Sequence, residues 1–168
     1  MELWDLYDKN RNLLGKDHIR GEILPDETYH LVVHVWIQNS KGQYLISQRS
    51  ASRPMFPLMW ECVGGSVLKG ESSYQGAIRE VKEEVGLDLD IQNGTLLFSE
   101  IRTMIDGRQS NSILDVWRFH YDGEVPLSQA TTDEVHQVCW MSPEEIKELY
   151  SSGRLVHTLR YFEERVNR

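Results

Sequence analysis

The residues best placed to do chemistry are four glutamates and an arginine between positions 71 and 84. On a helix that turns about 100° per residue, Glu83 falls about 60° to one side of Glu80 and Glu84 about 40° to the other. Three carboxylates therefore crowd an arc of about 100°, where like charges three and four residues apart repel. Tyr74, Ala77, Ile78, Val81 and Val85 form an apolar stripe beside them, so the acids sit at the edge of what such a helix buries. A hard divalent cation with oxygen ligands relieves that repulsion. A solvated acidic face is the plainer alternative for a Glu-rich helix, but a face of that kind interleaves lysines, and Lys82 points away.

The flanking residues decide between the two. From Gly65 the chain runs five residues to Glu71, then seven more to Arg79-Glu80-Val81-Lys82-Glu83-Glu84-Val85-Gly86-Leu87. This resembles the Nudix box, G-x5-E-x7-R-E-U-x-E-E-x-G-U with U aliphatic, and every fixed position is filled. Chance gives such a match on the order of once in 10⁹ starting points. The resemblance, to the Nudix hydrolase superfamily, implies Glu80, Glu83 and Glu84 as ligands of Mg²⁺ or Mn²⁺, joined by the backbone carbonyl of Gly64. It implies that Arg79 and Glu71 pair and orient the loop and the ligands. It also implies cleavage of a diphosphate linkage, in a nucleoside diphosphate derivative or a related small diphosphate, by metal-activated water.

Outside the box the signals are weaker. Arg49, after a strand, and Trp60, in the loop leading to the glycine pair, are candidate substrate contacts. Glu100, Asp115 and Glu134 are candidates for one more ligand or for the general base. Trp117 and His34 read as core residues, and Cys62 and Cys139 as small buried hydrophobes. The N-terminal hairpin, the strand at 30–37, Leu45-Ile46-Ser47-Gln48-Arg49-Ser50 and the Pro57–Trp60 loop look like the isopentenyl-diphosphate isomerase branch of the superfamily. That branch works through a cysteine and a glutamate. Here Gly64 stands where the cysteine belongs, Cys62 is two residues off, and Asp115 falls roughly where the acid belongs. Hydrolysis is therefore the expectation and isomerisation is not. A non-catalytic binding module of the same fold is a third reading, but such modules lose box residues and none is lost here.

The elements that must position these groups are legible in part. Residues 2–23 read as a hairpin, Tyr29–Ile37 as a central strand apolar on both faces, and Tyr44–Gln48 as its partner. Ser72 or Ser73 caps a helix that ends at Gly86. Strands follow at Leu96–Arg102, Ile113–Tyr121 and Val135–Met141, then a helix from Pro143 to Gly153 and a last amphipathic helix over Val156–Val166. This predicts an α+β fold, which the resemblance sharpens to an α/β/α sandwich with a mixed central sheet. The expected organisation is one domain over 1–168, with a hairpin extension at 1–27, a core at 28–145, the box at 65–87 and C-terminal helices at 142–168.

The chain has 168 residues, and 18 basic against 26 acidic side chains leave a formal charge of −8. That balance disfavours a nucleic-acid polymer or an anionic membrane as partner, but admits an anionic small-molecule diphosphate where a cation mediates. No apolar run is long enough to span a membrane. The start lacks a signal-peptide plan, and two cysteines make no disulfide framework, so a cytoplasmic location is the expectation. A homodimer stands among the expectations for partners.

Overall fold

The structure, a computed structural model, describes residues 1–168. The elements in chain order are β1 (Leu3–Tyr7), β2 (Leu13–Ile19), β3 (His30–Gln38), β4 (Tyr44–Arg49), β5 (Trp60–Glu61), β6 (Val63–Ser66), α1 (Ser73–Val85), β7 (Thr95–Ile105), β8 (Arg108–His120), β9 (Val135–Met141) and α2 (Pro143–Ser151). The fold is α+β with a mixed sheet, as expected.

β3 organises the molecule. Its successive residues point to opposite faces, and both faces are covered. Leu31, Val33, Val35 and Ile37 pack with Ala77, Val81 and Val85 of α1, while Trp36 packs with Leu149 of α2 and with Tyr161 and Phe162. Fully burying a side chain of this size stabilises the fold by roughly 1.5–3 kcal/mol, which is what seats α1 against the sheet. β8 runs parallel to β3 from His30↔Ser112 to Gln38↔His120, and β6 runs antiparallel on the other edge from Val32↔Ser66 to Val35↔Val63. β7 lies antiparallel outside β8. β4 pairs with β9 and β5.

The ends of α1 follow the sequence. Ser72 accepts from the Gln75 backbone N–H at 3.1 Å and donates its own backbone N–H to Gln75 Oε1 at 2.9 Å, a closed capping box. Gly86 ends the helix in the left-handed region at φ 76°, and a Cβ there would lie 2.3 Å from the Pro126 carbonyl oxygen. Only glycine fits that junction.

The structure corrects the sequence reading in three places. The two strands expected at 96–102 and 113–121 are arms of one longer hairpin, meeting at Asp106 and Gly107 with φ of 50° and 73°. Two positive φ angles form the turn that suits a twisted hairpin, and the polar run Arg108-Gln109-Ser110-Asn111 hid the strand. Trp60, read as part of a loop, stands in β5, which pairs with β4 and is separated at Cys62 from β6, which pairs with β3. The last segment is not a continuous α-helix but a 3₁₀ turn at His157–Leu159 and a π turn at Phe162–Val166. Leu159, Tyr161 and Phe162 are all buried in one cluster. On a regular helix Tyr161 would face about 200° away from Leu159, so the chain departs from α geometry to bury them together.

Candidate functional site

Arg79 is the centre of the box. Its Nε donates to Glu71 Oε1 at 2.6 Å, its Nη1 to Glu80 Oε1 at 3.1 Å and to Glu83 Oε2 at 3.0 Å, and its Nη2 to the Ser66 carbonyl at 2.9 Å. One guanidinium thus ties the loop after β6 to the acidic face of α1. Burial opposes its charge, but the carboxylates of Glu71, Glu80 and Glu83 hold it above the ordinary arginine range. Glu71 Oε2 also accepts from the Leu68 backbone N–H at 3.0 Å, which fixes the turn leading into the helix.

The glycine pair lets the sheet approach the helix. A Cβ on Gly65 would lie 2.3 Å from Glu80 Oε1, so that carboxylate fills the space a side chain would take. Gly64 pairs with His34 across β6 and β3, and a Cβ on it would lie 2.5 Å from the Val33 carbonyl oxygen.

Electrostatically the C-terminal half of α1 is oversupplied with acid. Burial pushes the Glu80 carboxyl up to about 7 even though Arg79 pulls it down. Glu84 is more extreme. Burial raises it well above the usual carboxylate range, and Glu80, Glu61 and Glu134 raise it further. No cation offsets it. Glu83 is more open, its side chain 37% exposed on the Arg79 side.

The structure sorts the outlying candidates. Glu134 is brought beside Glu84 and is itself paired with Arg53. Asp115 is not: it lies below the start of α1, accepting from Arg11 Nη1 and Nη2 at 2.7 and 2.6 Å and from Ser99 Oγ at 2.6 Å. Glu100 pairs with Arg165 at 3.1 Å. Arg49 is engaged by Glu61 at 2.5 Å and by the Met55 carbonyl at 2.8 Å, so it braces the 50–59 loop. Trp60 packs in the cluster with Cys62; its backbone N–H donates to the Arg154 carbonyl at 2.9 Å and its carbonyl accepts from the Val156 N–H at 2.9 Å. Trp117 donates to Ser73 Oγ at 2.8 Å. His34 is half-buried, its value lowered to about 3 by desolvation and by Arg102, with Nδ1 2.7 Å from Tyr161 Oη. Cys62 is buried, but Cys139 is exposed, contrary to expectation: it lies between the half-buried Val138 and Trp140 on β9, a strand exposed at several positions.

Sequence reasoning missed Glu61. It stands in a two-residue strand with no periodicity to mark it, and only the pairing of β5 with β4 turns it toward Glu84.

No three histidine, cysteine or carboxylate side chains converge on one coordinating point, because Arg79 engages Glu80 and Glu83. The donor set nevertheless fits a hard cation. It supplies carboxylate oxygens, a glycine backbone that permits close approach, and in Glu84 a buried acid whose charged neighbours are acids.

Comparison with known proteins gives a consistent result. Residues 28–162 match the NUDIX domain family. An uncharacterized Nudix hydrolase of Listeria innocua is 41% identical over 93% of this chain and 89% of its own length. An isopentenyl-diphosphate Delta-isomerase of Citrobacter koseri is 28% identical over 76% of this chain and 70% of its own. Among solved structures, a Deinococcus radiodurans protein superposes with a TM-score of 0.74 at 22% identity, covering 98% of this chain and 99% of that one.

Proposed function

The chain belongs to the Nudix hydrolase family, and from that premise we propose that it is a divalent-metal-dependent pyrophosphohydrolase acting on a nucleoside diphosphate derivative or a related small diphosphate. The observation that carries this reading is the buried acid surplus on α1, above all Glu84 among Glu80, Glu61 and Glu134. Glu80, Glu83 and Glu84, with the Gly64 carbonyl, are the groups to hold Mg²⁺ or Mn²⁺. When bound, the cation offsets the charge of the diphosphate and makes water more acidic. The rest is the work of this chain's own residues. Arg79 spaces the carboxylates, Glu71 anchors Arg79, and Gly65 leaves room for Glu80. Of the three outlying acids only Glu134, whose other partner is Arg53, adjoins Glu84, and it is the candidate to receive a proton; Asp115 and Glu100 lie away from Glu84.

The isomerase reading is disfavoured by packing. No side chain fits at Gly64, and the Cys62 thiol is buried and pushed up by that burial. Isopentenyl diphosphate should therefore not be converted to its allylic isomer, and conversion that is lost on Cys62→Ala would overturn this. The hydrolase reading is tested by incubating the protein with Mg²⁺ and nucleotide sugars, dinucleoside polyphosphates, oxidised nucleotides or isoprenyl diphosphates. The expected outcome is release of a phosphorylated product from at least one class, abolished by excess EDTA. Full activity in EDTA would refute the metal assignment.

A further inference from the structure

A cleft of about 620 Å³ lies between the distal half of the β7–β8 hairpin and the turn at 157–161. Arg102, Thr103, Thr158, Arg160 and Tyr161 line it. Two side chains lead from it toward the strand that carries Gly64. Tyr161 Oη meets His34 Nδ1 at 2.7 Å, and His34 pairs across the sheet with Gly64.

Arg102 is the unexplained group here. Six of the twelve arginines, Arg11, Arg20, Arg49, Arg53, Arg79 and Arg165, pair with a carboxylate; of the other six only Arg102 and Arg118 are half-buried, and Arg102 is the one that lines this cleft. Arg102 is half-buried and pairs with none; its Nε donates to Ser112 Oγ at 3.2 Å, which leaves both terminal nitrogens for the cleft. In a chain with 26 acidic and 18 basic residues, a partly desolvated guanidinium left without an acid is costly. The acids nearby do not serve it. Glu100 also lines the cleft but is engaged by Arg165, and Asp106 is exposed at the hairpin tip. Burial lowers the Arg102 pKa, yet a guanidinium stays charged, so the cleft holds a permanent cation. A planar guanidinium fork matches phosphate or carboxylate oxygens in pairs.

We propose that Arg102, with Arg160 in the same cleft, binds an anionic group on the part of the substrate remote from the diphosphate. The substrate class is then a diphosphate whose second moiety carries its own phosphate or carboxylate. For the diphosphate end this rests on the hydrolase reading above.

Two matched pairs test it, each differing by one anion: NADPH against NADH for a phosphate, and UDP-glucuronate against UDP-glucose for a carboxylate. With Mg²⁺, the anionic member of at least one pair should show a kcat/KM at least tenfold higher. Arg102→Gln should erase that preference while leaving the neutral member within about twofold, and Arg102→Lys should keep part of it. Equal kcat/KM within both pairs, or a preference that survives Arg102→Gln, overturns the proposal. Binding of the same four compounds, measured by calorimetry in EDTA, separates the two readings. If none is hydrolysed, the hydrolase reading has failed for these compounds and binding alone decides. Tenfold tighter, Arg102-dependent binding of an anionic member upholds the cleft, and equal or absent binding overturns it.

Discussion

At the start of α1, Asp115 is 1% exposed yet accepts two hydrogen bonds from Arg11 and one from Ser99. Further along the same helix, Glu84 is 7% exposed and meets Glu80, Glu61 and Glu134. Both are buried carboxylates, Asp115 on β8 beneath the start of α1 and Glu84 on the last turn of α1 itself, and their environments drive them in opposite directions. Burial raises Asp115 too, but hydrogen bonds from Arg11, Ser73 and Ser99 pull it below the usual range. At Glu84 burial and neighbouring charge act together. The satisfied acid fastens the N-terminal hairpin to the sheet. On the proposed reading, Glu84 is a place where the fold gives up stability for a site, which is the expected mark of function.

The largest expected effect separates these roles by turnover. Glu84→Gln and Glu83→Gln should each cut hydrolysis at least about 100-fold, or about 2.7 kcal/mol of transition-state stabilisation. Steady-state rates on whichever diphosphate the screen identifies provide the check. Near-normal turnover in both variants would mean this helix is not the reactive site.

Asp115→Ala should do the reverse. It strands Arg11, whose side chain is 41% exposed and so is partly rescued by water. The loss in unfolding free energy should be about 2–3 kcal/mol, below the figure for a fully buried pair, with turnover within about threefold of normal. Urea titration and initial rates measure the two. A severe catalytic defect at unchanged stability would erase the contrast between the two ends of the helix.

A smaller effect is expected in the pH dependence of the metal-free protein. Glu80, at about 7 when folded against 4.5 in an unfolded chain, binds protons more readily in the folded state. Its raised pKa therefore destabilises the fold at alkaline pH, and the cost fades as pH falls through 7. Glu84 acts in the same direction. His30 and His34 oppose it lower down, with folded values of about 4 and 3 against 6.5, so their contribution is full above 6.5 and lost as pH falls below it. The melting temperature in EDTA should rise by the equivalent of about 1–2 kcal/mol from pH 8.5 to 6.5, then fall below pH 6. Glu84→Gln should flatten the first limb. A profile that only falls on acidification would contradict the assignment of Glu84 as an unsatisfied buried acid.

These contrasts show what a sequence displays and what it conceals. Residues 65–87 announce the box because helical period, cap residues and fixed spacing all lie within one short segment. β3 is equally plain, since a β-branched run apolar on both faces suits only a covered strand. Long-range pairings are hidden. Nothing near Asp115 in the sequence points to Arg11, 104 positions away, so a fastening residue looked like a candidate acid. Arg49 and Trp60 looked free because Glu61 and the 154–156 segment were not yet beside them. Arg102 carried no signal at all: an arginine in a strand is ordinary until its neighbours prove to contain no acid for it.

The central claim is that the acidic end of α1 is incomplete without a cation, and thermal melting with and without Mg²⁺ tests it most directly. At a concentration of about 100 times its dissociation constant, Mg²⁺ should stabilise the wild-type chain by about 2.7 kcal/mol. At alkaline pH, where Glu84 is driven to ionise against burial and its neighbouring acids, Glu84→Gln should start from a higher melting temperature in EDTA and should gain little from the ion. A wild-type melt unmoved by Mg²⁺, or a Glu84→Gln variant that gains as much as the wild type, would contradict the account.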